Sequence, residues 1–365
     1  MLALRKARKT PVPLSPSGAA CAALHFASRA AMGERLFSKL EDFAFTHGCS
    51  YDSYMVIEIG YQYFWSTGEK GVVAFSRRGQ TLFVIGGLLA AAADKDQLLH
   101  ELVAFAQRNK LTLAVFNIGD DDLPRFGQLG WQINKFGEDA MVTLPTISWQ
   151  GHHYSWVRRQ ESYIQRQGVT FGEARRLDMG PDAWSALMAE LGEVNTASIA
   201  KQPQRQRKLT FEGWFDPTEL QRKRLFIARG SQGFGRLEGF LLCNPCLNGR
   251  EWAIEMYRQR PGAPRGVVPF MIVKALRMFQ AEGLSRVSLC LVPAIHTESA
   301  MPNDSRLVRL LLVAWSRYGS FLFNVRGLYH FKSRFRPQFQ PRYVAFYRRA
   351  TWRTIVDFIA TSGII

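Results

Sequence analysis

No run of apolar residues in this 365-residue sequence is long enough to cross a bilayer, which takes about 20 in a row. Cysteine is also scarce, and an odd number, five, excludes a simple disulfide framework and indicates a reducing compartment. Cys243 and Cys246 form a single Cys-x-x-Cys, yet no second pair or histidine follows at the spacing of zinc ligands. The Asn244-Pro245 between them is typical of a turn that ends a strand. The sequence therefore predicts no metal site and no membrane-spanning helix.

Acidic residues are in deficit, since 30 Asp and Glu stand against 47 Lys and Arg and give a net charge of +17. The stretch from Ser305 to Val356 contains no acidic residue but eleven basic ones, with aromatic residues between them. Such a composition favours a polyanionic partner, either nucleic acid or an anionic membrane surface. A solvated basic face without a partner is the alternative.

Apolar residues make up 47% of the chain, which is enough to bury ordinary cores, and the length suits two domains. The start of the chain differs from the rest. No acidic residue precedes Glu34, and basic residues alternate there with serine and alanine. We predict that residues 1–33 are a basic, disordered leader of the transit-peptide type, outside the fold, unless translation begins at Met32.

Hydrophobic periodicity divides the remaining sequence into two similar units. Residues 34–150 form the first, in which strands, beginning at residues 53–59, are followed by a helix, a strand, a helix and further strands. Residues 151–168 form a helix with a basic face, and residues 169–365 repeat the order of the first unit. The predicted fold class is therefore α/β, or α+β, with two tandem units on mixed sheets.

An arginine-rich loop lies between a strand and an apolar helix of the second unit. Backbone N–H groups and the positive end of the helix dipole converge at such a helix start and can bind phosphate. Arg258, Arg260 and Arg265 add side-chain donors, and Gly266 opens the helix. An ordinary turn with solvated arginines is the alternative. In GNAT acyltransferases this place holds the pyrophosphate of acyl-CoA, but their Gln/Arg-x-x-Gly-x-Gly/Ala pattern ends here in Pro264, which disfavours a CoA donor.

Glu255 interrupts the apolar residues of the strand just before this loop. Its carboxylate can bind the ammonium group of a substrate or accept a proton. Pairing with Arg258 or Lys332 is the alternative. No Ser/His/Asp set has the spacing of a nucleophile elbow, so no covalent enzyme intermediate is expected.

A basic and aromatic segment follows near the end of the chain. Lys332, Arg334 and Arg336 alternate, so in an extended segment they would share one face, with Phe331 and Phe335 on the other. Such a strand suits contacts with phosphates and bases, although generic basic-aromatic strands are also structural.

Together these segments resemble the cytoplasmic C-terminal part of bacterial phosphatidylglycerol lysyltransferases and their alanyl-transferring relatives. The family's Gly-Leu-x-x-Phe-Lys-x-Lys/Arg-Phe-x-Pro and following Pro-Arg-Tyr are matched by residues 327–337 and 341–343. Its acidic strand and arginine loop are matched by Glu255, Arg258, Arg260 and Gly266. Its Lys-x-Gly-Glu-x-Ala element is matched by residues 135–140.

The resemblance implies two GNAT-like folds joined by the basic helix, and an enzyme that moves an amino acid, lysine or similar, from charged tRNA to the hydroxyl of an anionic lipid such as phosphatidylglycerol. It implies no cofactor, and a bacterial protein that acts in the cytoplasm, bound peripherally to the membrane. Glu255 would recognise the ammonium of the amino acid, while Lys332 and Arg258 would stabilise charge during the reaction. The residues implied in substrate binding are Arg260, Arg265, Gly266, Arg334, Arg336, Arg342 and Tyr343.

The sequence departs from the family's pattern in several places. Glu255 stands where aspartate is usual, Tyr257 replaces the common methionine, and the Leu-Gly-x-Ala-Pro-Leu element is reduced to residues 289–294. The residues ahead of the matched part do not carry the multi-span domain that often precedes it in the family. The amino acid, the lipid and the oligomeric state are therefore left open. Two other functions remain, an acyl-CoA-dependent N-acyltransferase and a non-catalytic basic module that binds membrane or RNA.

Overall fold

The computed structural model describes residues 23–200, 215–216, 220–230, 235–319 and 323–362. The strands in these ranges are β1 Leu24–Phe26, β2 Gln62–Trp65, β3 Gly71–Arg78, β4 Thr81–Ala90, β5 Thr112–Ile118, β6 Gln132–Thr143, β7 Thr170–Ala174, β8 Arg224–Arg229, β9 Leu237–Cys246, β10 Glu251–Gln259, β11 Arg286–Pro293 and β12 Gln338–Phe346. The α-helices are α1 Arg29–His47, α2 Lys95–Arg108, α3 Leu123–Gln128, α4 Ser155–Arg166, α5 Pro181–Ala200, α6 Val267–Ala281, α7 Arg306–Tyr318, α8 Val325–Ser333 and α9 Trp352–Ser362.

All the described strands join in one mixed sheet, in the order β1-β2-β3-β4-β5-β12-β6-β11-β10-β9-β8-β7. In the first unit β2, β3 and β4 form an antiparallel meander, and α2 crosses over to β5, which pairs with β4 in parallel. The second unit repeats this order, because β8, β9 and β10 are antiparallel and α6 crosses over to β11, parallel to β10. Each crossover helix buries its apolar face on the sheet, as its periodicity predicts.

The closing strands of the two units are exchanged. β12, the last strand of the chain, lies between β5 and β6 of the first unit, whereas β6 pairs with β11 of the second. The two units therefore share one continuous sheet, and each depends on a strand from the other. Helix α4, within the stretch predicted as the basic linking helix, packs against α6.

The predicted leader is wrong from residue 24 onward. β1 pairs with β2, and α1 begins behind Ser28, whose hydroxyl accepts a bond from a backbone N–H of the first turn. These residues have apolar partners, since His25 stacks on Phe75 and Phe105 with ring centres 5.8 and 5.4 Å apart, and Met32 is buried. Residues 1–22 of the predicted leader lie outside the described residues.

Two local predictions are also wrong. The predicted strand at residues 53–59 is instead a 3₁₀ helix, Ser53–Ile57, whose residues are all buried because it packs against α1 and β4 and does not pair with a strand. β9 does not end at the predicted turn but continues through Pro245 to Cys246. Pro245 lies beyond Cys243, the last residue of β9 that pairs with β8. At this point β9 has only β10 as a neighbour, and a strand with one neighbour tolerates a proline.

Different helices cover the two faces of the sheet. Val115 of β5 packs with α2 on one face, while the neighbouring Phe116 packs with α7 and α9 on the other. None of the described helices is long and apolar enough to cross a membrane. Nor do the described residues bring together three or more His, Cys, Asp and Glu able to hold a metal ion.

Candidate active site

The parallel strands β10 and β11 part from one another and leave a gap. Their register runs through three residue pairs, ending at Ala253 and Ser288. Each strand is irregular beyond this point, since the pairing of β10 with β9 shifts at Glu255 and that of β11 with β6 shifts around Cys290. Cys290 has a φ of +69°, a conformation that costs a non-glycine residue about 1–3 kcal/mol and is often retained at functional sites.

Lys332 reaches into this gap with a side chain that is buried from solvent. Its Nζ donates to the carbonyl oxygens of Cys290 at 2.9 Å and Leu291 at 3.0 Å. Burial lowers the pKa of Lys332 to about 8. The ammonium is therefore largely charged at neutral pH, in surroundings of low dielectric where a fixed charge acts strongly on a reacting group.

The segment that carries Lys332 is helical, so the predicted extended strand is wrong. Asn324 caps α8 by accepting a backbone N–H at 2.8 Å. Val325, Leu328 and Lys332 recur at three- and four-residue spacing, which places Lys332 on the face of α8 that packs inward. Arg334 and Arg336 follow the helix and are exposed, so the three cations do not share one face.

Aromatic rings hold α8 against its neighbours. The ring centre of Phe331 lies 6.1 Å from that of Tyr257 on β10 and 5.5 Å from that of Phe335. Phe335 in turn meets Trp156 of α4 edge to face at 6.1 Å. These contacts fix the position from which Lys332 enters the gap.

Glu255 lies at the bulge of β10, beside the gap, and is 9% exposed. The thiol of Cys290 donates to the carbonyl oxygen of Ile254, the residue before Glu255, at 3.2 Å. The carbonyl oxygen of Cys290 in turn accepts from Lys332, so Cys290 bonds both to Lys332 and to the neighbour of Glu255. Burial raises the pKa of Tyr61 in the first unit, and nearby carboxylates, Glu255 included, add to the shift. Glu255 thus stands where the two units meet.

Two buried side chains that sequence reasoning missed, Ser288 and Asp139, fix the bulge at Cys290. The backbone N–H of Cys290 donates to the Ser288 hydroxyl at 2.8 Å, and that hydroxyl donates to Asp139 at 2.5 Å. Arg342 donates to the other carboxylate oxygen of Asp139 at 3.1 Å. A buried chain of bonds therefore runs from β12 through β6 to the residue that binds Lys332. The acidic pair within residues 135–140 was the one sequence signal for it.

Arg342 is expected to stabilise the folded state, because it is 7% exposed and forms an ion pair with the fully buried Asp139. Arg342→Met should lower the free energy of unfolding by about 3–5 kcal/mol, since the Asp139 charge then stays buried without its partner. Urea unfolding followed by circular dichroism measures this change. Arg349→Met, at an exposed position just after β12, is the control and should cost less than about 0.5 kcal/mol. Equal unfolding midpoints for the two variants would contradict the structural role.

Two of the three arginines in the predicted anion-binding loop are engaged within the protein. Arg258 is buried and donates to Asn195 of α5 at 3.1 Å. Arg260 forms an ion pair of 3.6 Å with Glu190, also on α5. Arg265 is exposed. The loop therefore ties the end of β10 to α5, and Arg258 is placed to support the strand that carries Glu255.

The start of α6 is poorly suited to a pyrophosphate. Gly266, with a φ of +100°, is covered by α4, because the side-chain oxygen of Gln160 lies where a Cβ on Gly266 would stand. The N–H of Val267 is already bonded to Pro264 at 3.1 Å, and Pro269 has no N–H. Fewer backbone donors therefore remain here than the four free N–H groups of an ordinary helix start.

Arg334 and Arg336 lie beside the linking helix. The guanidinium of Arg334 stands 5.6 Å from the ring centre of Trp156 on α4, and Arg159, one turn further along α4, is exposed. We call Trp156, Arg159, Arg334 and Arg336 the α4–α8 basic surface. The structure thus groups these predicted binding residues with the basic helix.

Tyr343 lies elsewhere, on β12 between β5 and β6. It packs on the core of the first unit and is part-buried. Burial, with a hydrogen bond to Asp120, raises its pKa to about 12. Tyr343 and Arg342 are therefore separated from the gap by two strands, β6 and β11.

The corresponding gap in the first unit is filled by the protein itself. β4 and β5 pair through four residues and then part. The buried Asp52 accepts the N–H of Gly86 at 3.0 Å and the side-chain amide of Asn117 at 2.7 Å. Asn117, like Cys290, has a left-handed φ, here +57°. The gap of the second unit, which holds Lys332 and Glu255, is therefore the candidate active site.

A family model for the C-terminal part of phosphatidylglycerol lysyltransferase matches residues 42–346. The chain belongs to this family. The phosphatidylglycerol lysyltransferase of Bacillus subtilis is 21% identical over 308 residues, which cover 82% of this chain and 34% of that protein. The chain spans 26–37% of the length of the curated relatives it matches. The family recognised in the sequence is thereby confirmed.

Two of the solved structures that share the fold cover most of this chain. One is the C-terminal domain of a putative lysylphosphatidylglycerol synthetase from Agrobacterium fabrum, with a TM-score of 0.75 at 20% identity over 91% of this chain and 98% of that one. The other is L-PGS from Bacillus licheniformis, with a TM-score of 0.71 at 19% identity over 90% of this chain and 96% of that one. The predicted α/β class, with two similar units on mixed strands, is confirmed.

Proposed function

We propose that this protein transfers an aminoacyl group, lysyl or similar, from charged tRNA to the hydroxyl of a membrane lipid such as phosphatidylglycerol. The observation that carries the proposal is the buried ammonium of Lys332 in the gap between β10 and β11, beside the bulge that bears Glu255. Membership of the phosphatidylglycerol lysyltransferase family supports acyl transfer to a lipid as the reaction class.

The proposed reaction is a direct transfer between two oxygens. The lipid hydroxyl attacks the carbonyl carbon of the aminoacyl ester, the ester bond to the ribose breaks, and the hydroxyl proton ends on the departing ribose oxygen. Negative charge builds on the carbonyl oxygen in the transition state, where the Lys332 ammonium stabilises it. Glu255 binds the ammonium of the amino acid and so orients the carbonyl. Cys290 is not a nucleophile in this scheme, because burial raises the pKa of its thiol and keeps it protonated.

The α4–α8 basic surface supports a nucleic-acid donor. Its exposed arginines can contact phosphates, and the ring of Trp156 offers a face for stacking. Phe335 joins this surface to α8, the helix that carries Lys332. A tRNA end bound here would lie next to the helix that supplies the catalytic ammonium.

An acyl-CoA donor fits the site less well. The N-terminus of α6, where a pyrophosphate would bind, is covered by Gln160 and has lost one backbone donor to Pro269. We therefore expect acyl-CoA to leave the melting temperature unchanged. A clear rise in melting temperature would favour the N-acyltransferase alternative.

The test is a lipid extraction assay with the purified chain, radiolabelled aminoacyl-tRNAs and phosphatidylglycerol vesicles. We expect label in the organic phase, and none after the tRNA has been treated with ribonuclease. Vesicles of phosphatidylcholine, which lacks the acceptor hydroxyl, serve as the control. If no charged tRNA yields labelled lipid with any acidic phospholipid, the proposed reaction is wrong.

A further inference from the structure

Helices α7 and α9 each turn an apolar stripe toward solvent. On α7 the stripe is Leu310, Ala314 and Tyr318, and on α9 it is Trp352, Val356 and Ala360, all exposed. The four-residue spacing places each set on one helix face. The large members are well exposed, since Leu310 is 67%, Tyr318 74%, Trp352 62% and Val356 59% accessible. Four such side chains on two neighbouring elements are unusual for a surface that faces only water.

An apolar cavity lies between the same two helices. Its volume is about 340 Å³, within the usual range of ligand-binding pockets, roughly 300–1,000 Å³. Leu311 and Trp315 of α7 and Ile355 and Phe358 of α9 form its walls, and Phe116 and Val344 of the sheet form its floor. The exposed stripes flank its walls, so the cavity and the stripes form one continuous apolar feature.

The charge around this feature is positive. Arg306 and Arg317 on α7, Arg353 on α9 and Arg348 and Arg349 just before α9 are exposed. The two nearest acidic residues in sequence are engaged, Asp304 with Arg309 at 2.8 Å and Asp357 with Arg78 at 3.6 Å. Apolar stripes with tryptophan and tyrosine beside arginines are the pattern of a helix that lies in the interface of an anionic membrane.

We propose that this surface, the α7–α9 face, docks on an anionic lipid bilayer, and that the cavity between the helices takes one acyl chain of a membrane lipid. The inference rests on the proposed function in one respect, namely that the docked lipid is the source of the acceptor. The hydrophobic cluster that includes Val308 and Phe358 also includes Cys290 and Leu291, whose carbonyls bind Lys332. The cavity and the residues that bind Lys332 therefore border the same apolar cluster.

Co-sedimentation of the full chain with vesicles tests the docking. We expect the chain to pellet with phosphatidylglycerol vesicles much more than with phosphatidylcholine vesicles. Leu310→Glu and Trp352→Glu should each reduce the partition coefficient at least about tenfold, because they place a charge in the apolar boundary and repel the anionic surface. Leu177→Glu is the matched control, since Leu177 is 99% exposed but lies between β7 and α5, at the other end of the sheet. Partition that is equal for all three variants and the wild type would overturn the docking surface.

Binding of the fluorescent fatty acid cis-parinaric acid tests the cavity. The wild type should enhance its fluorescence, and Ala314→Trp, which places a large side chain at the lining, should abolish this enhancement. Unchanged binding in the variant would overturn the assignment of the cavity. A second copy of the chain is the other possible occupant of the face, and light scattering tests for it. If the wild type is a dimer and Leu310→Glu is a monomer, the face is a contact between two copies and the lipid proposal is overturned.

These measurements separate the inference from the proposed reaction, because neither vesicle nor fatty-acid binding requires charged tRNA or turnover. Stripe-dependent sedimentation without any aminoacyl transfer would leave the docking face intact and refute the reaction. Aminoacyl transfer by the wild type, combined with sedimentation that does not depend on the apolar stripes, would support the reaction and refute the docking face.

Discussion

Replacement of Lys332 by methionine is expected to lower kcat for aminoacyl transfer by about 10²–10³-fold, with little change in KM for charged tRNA. The reason is geometric, since Nζ is buried in the gap and held at 2.9 and 3.0 Å by two backbone carbonyls of β11. Charge in that position acts chiefly on the oxyanion of the transition state. Initial rates of label transfer to lipid, at saturating and limiting tRNA, measure both constants.

The control for this variant is Lys70→Met, which removes a half-exposed lysine whose ion pair with Asp94 spans 3.9 Å. Its rate should match the wild type. The pH profile gives an independent reading, because the pKa of Lys332 is lowered to about 8 by burial and the charged form is the active one. Wild-type kcat should fall as pH rises through this value, and Lys332→Met should lack that decline. A folded Lys332→Met with wild-type kcat would exclude Lys332 from catalysis.

Replacement of Glu255 by glutamine is expected to lower kcat/KM by about 10–100-fold, because a charge-assisted hydrogen bond is worth about 1.5–3 kcal/mol. Glutamine keeps the size of the side chain, so the bulge of β10 should persist. The measurement compares tRNA charged with the amino acid and tRNA charged with the matching hydroxy acid, which lacks the ammonium. Wild type should prefer the first strongly, and Glu255→Gln should lose most of this preference.

Glu251→Gln is the matched control for Glu255, since it removes a carboxylate from the same strand. Glu251 pairs with Arg286 at 2.5 Å, before the strands part, and is outside the gap. The Glu251→Gln variant should prefer the aminoacyl donor over the hydroxyacyl donor as strongly as the wild type does. If Glu255→Gln also keeps the full preference, Glu255 does not recognise the ammonium.

Much of the fold could be predicted from local patterns. The order of strands, helix and strand in the two units was predicted, and the apolar helix that Gly266 opens is α6. Glu255 and Lys332 were identified because each carries a charge within an apolar or aromatic segment. Burial confirms that both segments are internal, since Glu255 is 9% and Lys332 4% exposed.

What could not be predicted depends on contacts between distant parts of the chain. No local signal places β12 between β5 and β6, and the bond from Arg342 to Asp139 joins residues 203 positions apart. The basic-aromatic alternation around Lys332 fits an extended segment as well as a helix. The helical conformation is determined by residues before Lys332, where Asn324 caps α8 and Val325 begins its buried face.

We propose that the aminoacyl group reacts in the gap between β10 and β11. A structure of the protein with an aminoacyl-adenosine analogue, in which an amide replaces the labile ester, tests it most directly. We predict that the ammonium of the analogue lies within hydrogen-bonding distance of the Glu255 carboxylate and that its carbonyl oxygen faces Nζ of Lys332. An analogue bound instead at the N-terminus of α6, or beside Asp52 in the gap of the first unit, would contradict the account.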